Sequence, residues 1–213
     1  MSDSQVSLPG YSLLRYDRPE PRPGGGVALF IKDSIPHSPC TALTPPHPQE
    51  YLWLWLPLHS HLMFICVLYR SPNSDDSIYT SLSENMDQLL SSHPNSLFLI
   101  CGDLNCHHAH WLGVGISLTC HRTSAKAFCD SFGPTQSVNF PTRISTNGTL
   151  SLLDLILTNF PENICCSSSA PISSSDHVLV KVNIPLAVIR ELPQRRRVWH
   201  FTQADWVGLR ESI

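Results

Sequence analysis

Cys101-Gly102-Asp103-Leu104-Asn105 sets a carboxylate and a carboxamide two residues apart, directly after the apolar run Leu97 to Cys101. Side chains alternate along extended backbone, so Asp103 and Asn105 project to the same side. Such a pair can face one substrate, with Asp103 orienting or deprotonating water and Asn105 donating to a phosphate oxygen. The same residues also suit an Asx turn closing a strand, and both readings stand at this point. A second group, Ser173-Ser174-Ser175-Asp176-His177, precedes the apolar stretch that begins at Val178. Asp beside His offers a hard oxygen ligand for Mg²⁺ and a titratable imidazole, or else a plain surface turn. Its force comes from Asp154, an acid inside Leu152-Leu153-Asp154-Leu155-Ile156-Leu157. Burying that carboxylate is costly without a partner, and a histidine is a natural one.

Other clusters are weaker. Cys101, Cys106, His107, His108, His110, Cys120 and His121 are thiols and imidazoles of the kind zinc takes, but they contain no Cys-x-x-Cys pair, so no zinc is expected. Cys165 and Cys166 are adjacent, which suits two small buried residues better than a chelate. Gly24-Gly25-Gly26 has no following Gly-Lys-Ser/Thr, so a flexible lead-in to a strand is expected rather than a phosphate cradle. Asn147-Gly148-Thr149 fits a glycosylation acceptor and, more simply, a turn.

The elements that must position these groups follow from apolar periodicity. Val27 to Ile31, Tyr51 to Leu56, Met63 to Tyr69, Leu97 to Cys101, Leu152 to Leu157 and Val178 to Ile184 read as strands. His59-Ser60-His61 is short enough to join the second and third as a hairpin. The second carries aromatic residues on one face and leucines on the other, which predicts cover on both faces. Ile78, Leu82, Met86, Leu89 and Leu90 recur at helical spacing between Asp76 and Ser92, with Ser74 or Asp75 as the cap. Ala127, Phe128 and Phe132 give a weaker helix over 124–132. Closely spaced strands mixed with helices favour an α/β sandwich over a regular doubly wound sheet.

Composition bounds the rest. In 213 residues, 42% hydrophobic and 15% charged, there is enough apolar material for one large domain. A net charge of -3 gives no general attraction to nucleic acid, so any such contact must be local. Met1 to Gly10 lacks the basic start and apolar core of a secretory signal, so the eight cysteines are expected to be reduced and mostly buried, in an intracellular protein of the nucleus or cytoplasm. Tyr51 to Leu58 and Leu62 to Tyr69 are far too short to span a bilayer, so no membrane is expected. Arg195-Arg196-Arg197 is a solvated charge cluster or a phosphate contact.

Taken in order, GGGVALFI, LYRSPN, GDLNCHHAHWLG, FPTR, LLDLILTN and SSSDHVLV resemble the endonuclease domain of non-LTR, LINE-type retrotransposons. That family lies within the endonuclease/exonuclease/phosphatase superfamily of DNase I-like enzymes. The resemblance covers Leu8 to Ile184, and RRRVWHFTQADW looks like the connector toward a reverse transcriptase. It implies a four-layer α/β/β/α sandwich that nicks DNA with Mg²⁺, or Mn²⁺, to prime reverse transcription. Asp103 then matches the acid acting on the attacking water and Asn105 the phosphate-contacting amide. Tyr69 matches the tyrosine ending its strand, and Asp154 the acid paired with the catalytic histidine, His177. Asp176 resembles a metal-side carboxylate, while Asn73, Thr142 and Ser175 match substrate contacts.

In the family, strands bearing an asparagine and a metal-binding glutamate precede the region that opens here at Met1. The expected organisation is therefore a domain over 1–190 lacking its first strands, then a basic linker over 191–213 toward a reverse transcriptase region. A catalytically inactive fragment, at most binding nucleic acid, is the alternative to a DNA endonuclease.

Overall fold

The computed structural model describes residues 6–18, 24–46, 48–72, 74–106 and 123–185. Asn73, the histidine-rich segment after Cys106 and the arginine cluster lie outside the described residues.

Twelve strands and two α-helices follow in the order β1 (Tyr11–Tyr16), β2 (Val27–Lys32), β3 (Ser38–Pro39), β4 (Glu50–Pro57), β5 (Leu62–Tyr69), α1 (Ser77–Ser92), β6 (Leu97–Asp103), α2 (Thr123–Phe132), β7 (Thr135–Gln136), β8 (Arg143–Ile144), β9 (Leu150–Ser151), β10 (Asp154–Thr158), β11 (Cys165–Ser169) and β12 (Leu179–Asn183). The central sheet has six strands in the order β3-β4-β5-β6-β10-β7. β5 and β6 pair in parallel, with α1 as their crossover, and the other pairs are antiparallel. β1–β2, β8–β9 and β11–β12 form separate two-stranded ladders.

β4 sorts its side chains as its alternation predicts. Tyr51, Trp53 and Trp55 share a face with their register partners Leu68, Cys66 and Phe64. α1 covers that face: Asn85 donates to the Tyr51 hydroxyl at 3.0 Å, and His93 meets the Phe64 ring at 5.5 Å. The opposite face carries Leu52, Leu54 and Leu56, and the β1–β2 hairpin packs over β4 and β5. The resulting layers are helices, mixed sheet and β-hairpins, a mixed α/β fold of the DNase I-like kind.

Local chemistry explains the junctions. The N-cap of α1 is Asp76, one residue later than expected and without a side-chain capping bond, while Asp75 just before it accepts the Ser77 N–H on Oδ1 at 3.1 Å. Gly102, at φ +140°, passes so near β5 that a Cβ would collide with the Leu68 carbonyl oxygen. The Asn147-Gly148-Thr149 segment is the turn of the β8–β9 hairpin, with Gly148 at φ +82°.

Two expectations are corrected. Cys165 and Cys166 are not both buried: they lie on β11, where neighbours point to opposite faces, and Cys165 is exposed. Among the seven described cysteines Cys66 and Cys106 are buried, while Cys40, Cys101, Cys129 and Cys166 are half-buried. The glycine run leads directly into β2, with Gly24, Gly25 and Gly26 all at positive φ and the Gly26 N–H donating to Glu50.

Candidate active site

Strand register builds the site. Glu50 pairs with Tyr69, Tyr69 with Asp103, and Asp103 with Asp154, which lays four polar residues in a row across β4, β5, β6 and β10. Directly opposed residues share a face, so this row lies on the hairpin side of the sheet.

Asp103 ends β6. Asn105 follows in the left-handed region at φ +44°, which asparagine tolerates better than most residues. Its N–H donates to Asp103 Oδ1 at 3.1 Å, so the Asx turn considered from sequence is present. Its Nδ2 donates to the Arg70 carbonyl at 2.8 Å. Burial, and then the negative charge of Asp154, hold the Asp103 carboxyl above its ordinary pKa.

Asp154 finds the partner its sequence context demands. The Nδ1 of His177 lies 2.8 Å from Asp154 Oδ2. A carboxylate only accepts, so Nδ1 carries the proton and Nε2 is the ring nitrogen left for other chemistry. The backbone fixes this geometry: Arg143 bridges to His177, Val178 N–H donates to the Thr142 carbonyl at 2.8 Å, and Ile144 N–H to that of Asp176 at 2.8 Å. Ser175, exposed in the preceding turn, accepts the His177 N–H on its Oγ at 3.0 Å.

Thr142 lies behind the site. It is 0% exposed, and its Oγ1 accepts the N–H groups of Leu153 and Asp154, each at 3.0 Å. A side chain without solvent access positions Asp154 and does not itself meet a substrate, which revises the role the resemblance implies. Asp176 is exposed and ion-paired with Arg143 Nε at 2.7 Å. The Arg143 bond holds its carboxyl below the ordinary range.

Sequence reading missed three charged residues. Arg70, 1% exposed, donates from Nη2 to the Ser74 carbonyl at 2.6 Å and to Asp76 Oδ1 at 3.2 Å, tying the loop after β5 to the start of α1. Glu50, 6% exposed, accepts from Arg18 Nε and from the Gly26 N–H. A charge at the mouth of an apolar strand was the available signal for Glu50 and Arg70, the same signal that singled out Asp154.

The family profile described as endonuclease–reverse transcriptase matches residues 63–181, more than half the chain and the whole stretch from β5 into β12. The chain belongs to this endonuclease family. Among solved structures, the endonuclease domain of TRAS1, a telomere-specific non-LTR retrotransposon, superposes with a TM-score of 0.66 at 16% identity, covering 84% of this chain and 80% of that one. Truncated Caenorhabditis elegans TDP2 gives 0.54 at 12% identity over 84% and 77%. The human Nocturnin catalytic domain with bound sulfate gives 0.53 at 15% identity over 85% and 75%. At such identities the likeness is one of fold. No curated protein matches the chain by sequence. Among the described residues of this endonuclease-family domain, no helix is long and apolar enough to cross a membrane.

The donor set suits a hard cation. Asp103 and Asp154 supply carboxylate oxygens side by side, although no group of three or more potential ligands forms among the described residues. Mg²⁺ is commonly held by only one or two protein carboxylates, with water and phosphate oxygens completing its shell.

Proposed function

We propose that this domain is an Mg²⁺-dependent phosphodiesterase that nicks one DNA strand and leaves a 3′-hydroxyl for a reverse transcriptase to extend. The observation that carries this reading is the charge balance along the polar row. Glu50 is bonded to Arg18, Asp154 to His177 and Asp176 to Arg143, whereas Asp103 accepts from Asn105 alone, through its backbone N–H and its side-chain amide, and has no cation bonded to it among the described residues. A half-buried carboxylate with a raised pKa and no bonded cation is suited to accept a proton from water or to meet a metal.

The neighbouring groups fit the same chemistry. His177, fixed by Asp154, presents Nε2 toward a phosphate or a leaving oxygen. Asn105 has its side-chain amide on the Arg70 carbonyl and on the Asp103 carboxylate, so a phosphate oxygen would take its donor by displacing one of these bonds. Tyr69 brings a phenol beside Asp103, and Ser175 lies in the turn before His177; Asn73, outside the described residues, is proposed as a substrate contact on the resemblance alone. Asp103 and Asp154 would hold the cation, with Asp176 joining them where its bond to Arg143 opens. When bound, Mg²⁺ neutralises charge developing on the phosphate, a contribution of several kcal/mol.

The test is nicking of supercoiled plasmid in Mg²⁺ by the wild type, Asp103→Ala and His177→Ala. The reading expects wild-type cleavage that depends on Mg²⁺ and falls by at least about a hundredfold in each variant. Equal activity in all three would overturn it.

A further inference from the structure

The far end of the polar row carries one more inference, which rests on the phosphodiesterase reading. Glu50 is the register partner of Tyr69, as Asp103 is on the other side. A buried carboxylate needs compensation, and here Arg18 and the Gly26 N–H supply it. The Arg18 guanidinium carbon then stands 5.6 Å from the centroid of the Tyr69 ring, within cation–π range.

The glycine loop closes this arrangement from above. At Gly25, φ +84°, a Cβ would overlap the guanidinium, and at Gly26, φ +82°, a Cβ would lie 2.9 Å from the Tyr16 carbonyl oxygen. Gly26 thus requires glycine for conformation and for space, and Gly25 for conformation, since a side chain there would push the guanidinium aside. Loop, arginine, glutamate and tyrosine ring form one contiguous stack ending beside Asp103.

We propose that Arg18, anchored on Glu50 beneath Gly25 and Gly26, is a positioning residue that fixes the Tyr69 ring for contact with the DNA substrate. A direct phosphate contact by Arg18 is disfavoured because its charge is already balanced by Glu50 and its side chain is only 19% exposed. The stack also gives the triple glycine a role that needs no phosphate: it lets the backbone lie flat over the ion pair.

The chain has five tyrosines, so isotope-labelled tyrosine gives a five-signal ring spectrum in which Tyr69→Phe identifies one signal and the other four report folding. Arg18→Met is expected to move and broaden the Tyr69 signal alone, and Gly25→Ala to do the same while keeping the charge. Arg18→Met combined with Glu50→Gln removes both charges and guards against unfolding caused by a stranded carboxylate. In plasmid nicking, Arg18→Met should lower kcat/KM about three- to tenfold, with partial recovery in Arg18→Lys and no further loss in a Tyr69→Ala background. An unmoved Tyr69 signal in a folded variant, or an equal loss in the Tyr69→Ala background, would overturn the proposal. Absence of nicking by the wild type would instead sink the phosphodiesterase reading and with it the role of the ring in cleavage, while the ring spectrum still decides whether Arg18 holds Tyr69.

Discussion

Replacing Thr142 by valine keeps the shape of the side chain and deletes one oxygen. That oxygen accepts two backbone N–H groups, from Leu153 and Asp154, at a position with no solvent access. A buried donor left without an acceptor costs roughly 1–3 kcal/mol, so the two together predict a loss of about 2–6 kcal/mol. For a domain of this size each kcal/mol moves the melting temperature by roughly 2–4 °C, which places the drop at about 4–24 °C. Thr142→Ser keeps the oxygen and loses one buried methyl, a cost of about 1 kcal/mol. Thermal and guanidinium denaturation followed by circular dichroism should therefore rank wild type, serine and valine in that order, with the larger gap before valine. Because Asp154 hangs on the same hydroxyl, nicking should fall in the valine variant even where it is fully folded. A valine variant that melts with the wild type, or a serine variant as weak as valine, would refute the account.

Three further outcomes follow from the site and its supports. Asp103 has a folded-state pKa above its unfolded value, so its stabilising protonated form is present below the ordinary carboxylate range and lost as pH rises through the folded pKa. Asp103→Asn should accordingly be more stable than wild type at neutral pH in urea titrations, lose that advantage in acid, and be inactive in nicking. Asp154→Asn removes the anion that orients His177 and should cut nicking by about two to four orders of magnitude, with a change in the pH–rate profile as its signature. Gly102→Ala forces a Cβ into the Leu68 carbonyl and should cost more than about 3 kcal/mol, read as a low melting temperature or insoluble expression.

What sequence could show here was set by distance along the chain. Asp103 and Asn105 were legible because strand periodicity and a two-residue spacing are local facts, and Asp154 because an acid in an apolar run must have a partner. The Asp154–His177 pair spans 23 residues, yet its histidine was legible because it stands beside an acid at the mouth of the strand that begins after Val178. The Arg18–Glu50 pair spans 32 residues, with neither sequence neighbourhood pointing to the other, and it becomes visible only when the glycine loop folds onto β4. β1 and β11 were missed for a related reason. Tyr11–Tyr16 has no clean alternation and is half-buried throughout, while Cys165–Ser169 is two thiols and three serines whose strand character comes from pairing with β12.

The same geometry explains why the polar row tolerates four side chains in a sheet otherwise filled with apolar ones. Each group at its ends is neutralised from outside the central sheet: Arg18 comes with the β1–β2 hairpin, and His177 with the turn before β12 that Thr142 and Arg143 secure. Between them, Asp103 stays raised in pKa and faces Asp154 without a bonded cation. The sheet thus concentrates its uncompensated charge at one carboxylate, and the free energy that a proton, a metal ion or a substrate-bound cation gains there is the energy the fold withholds from its own stability. Removing that charge should make the protein more stable and less active together, a pairing that an ordinary buried ion pair would not produce.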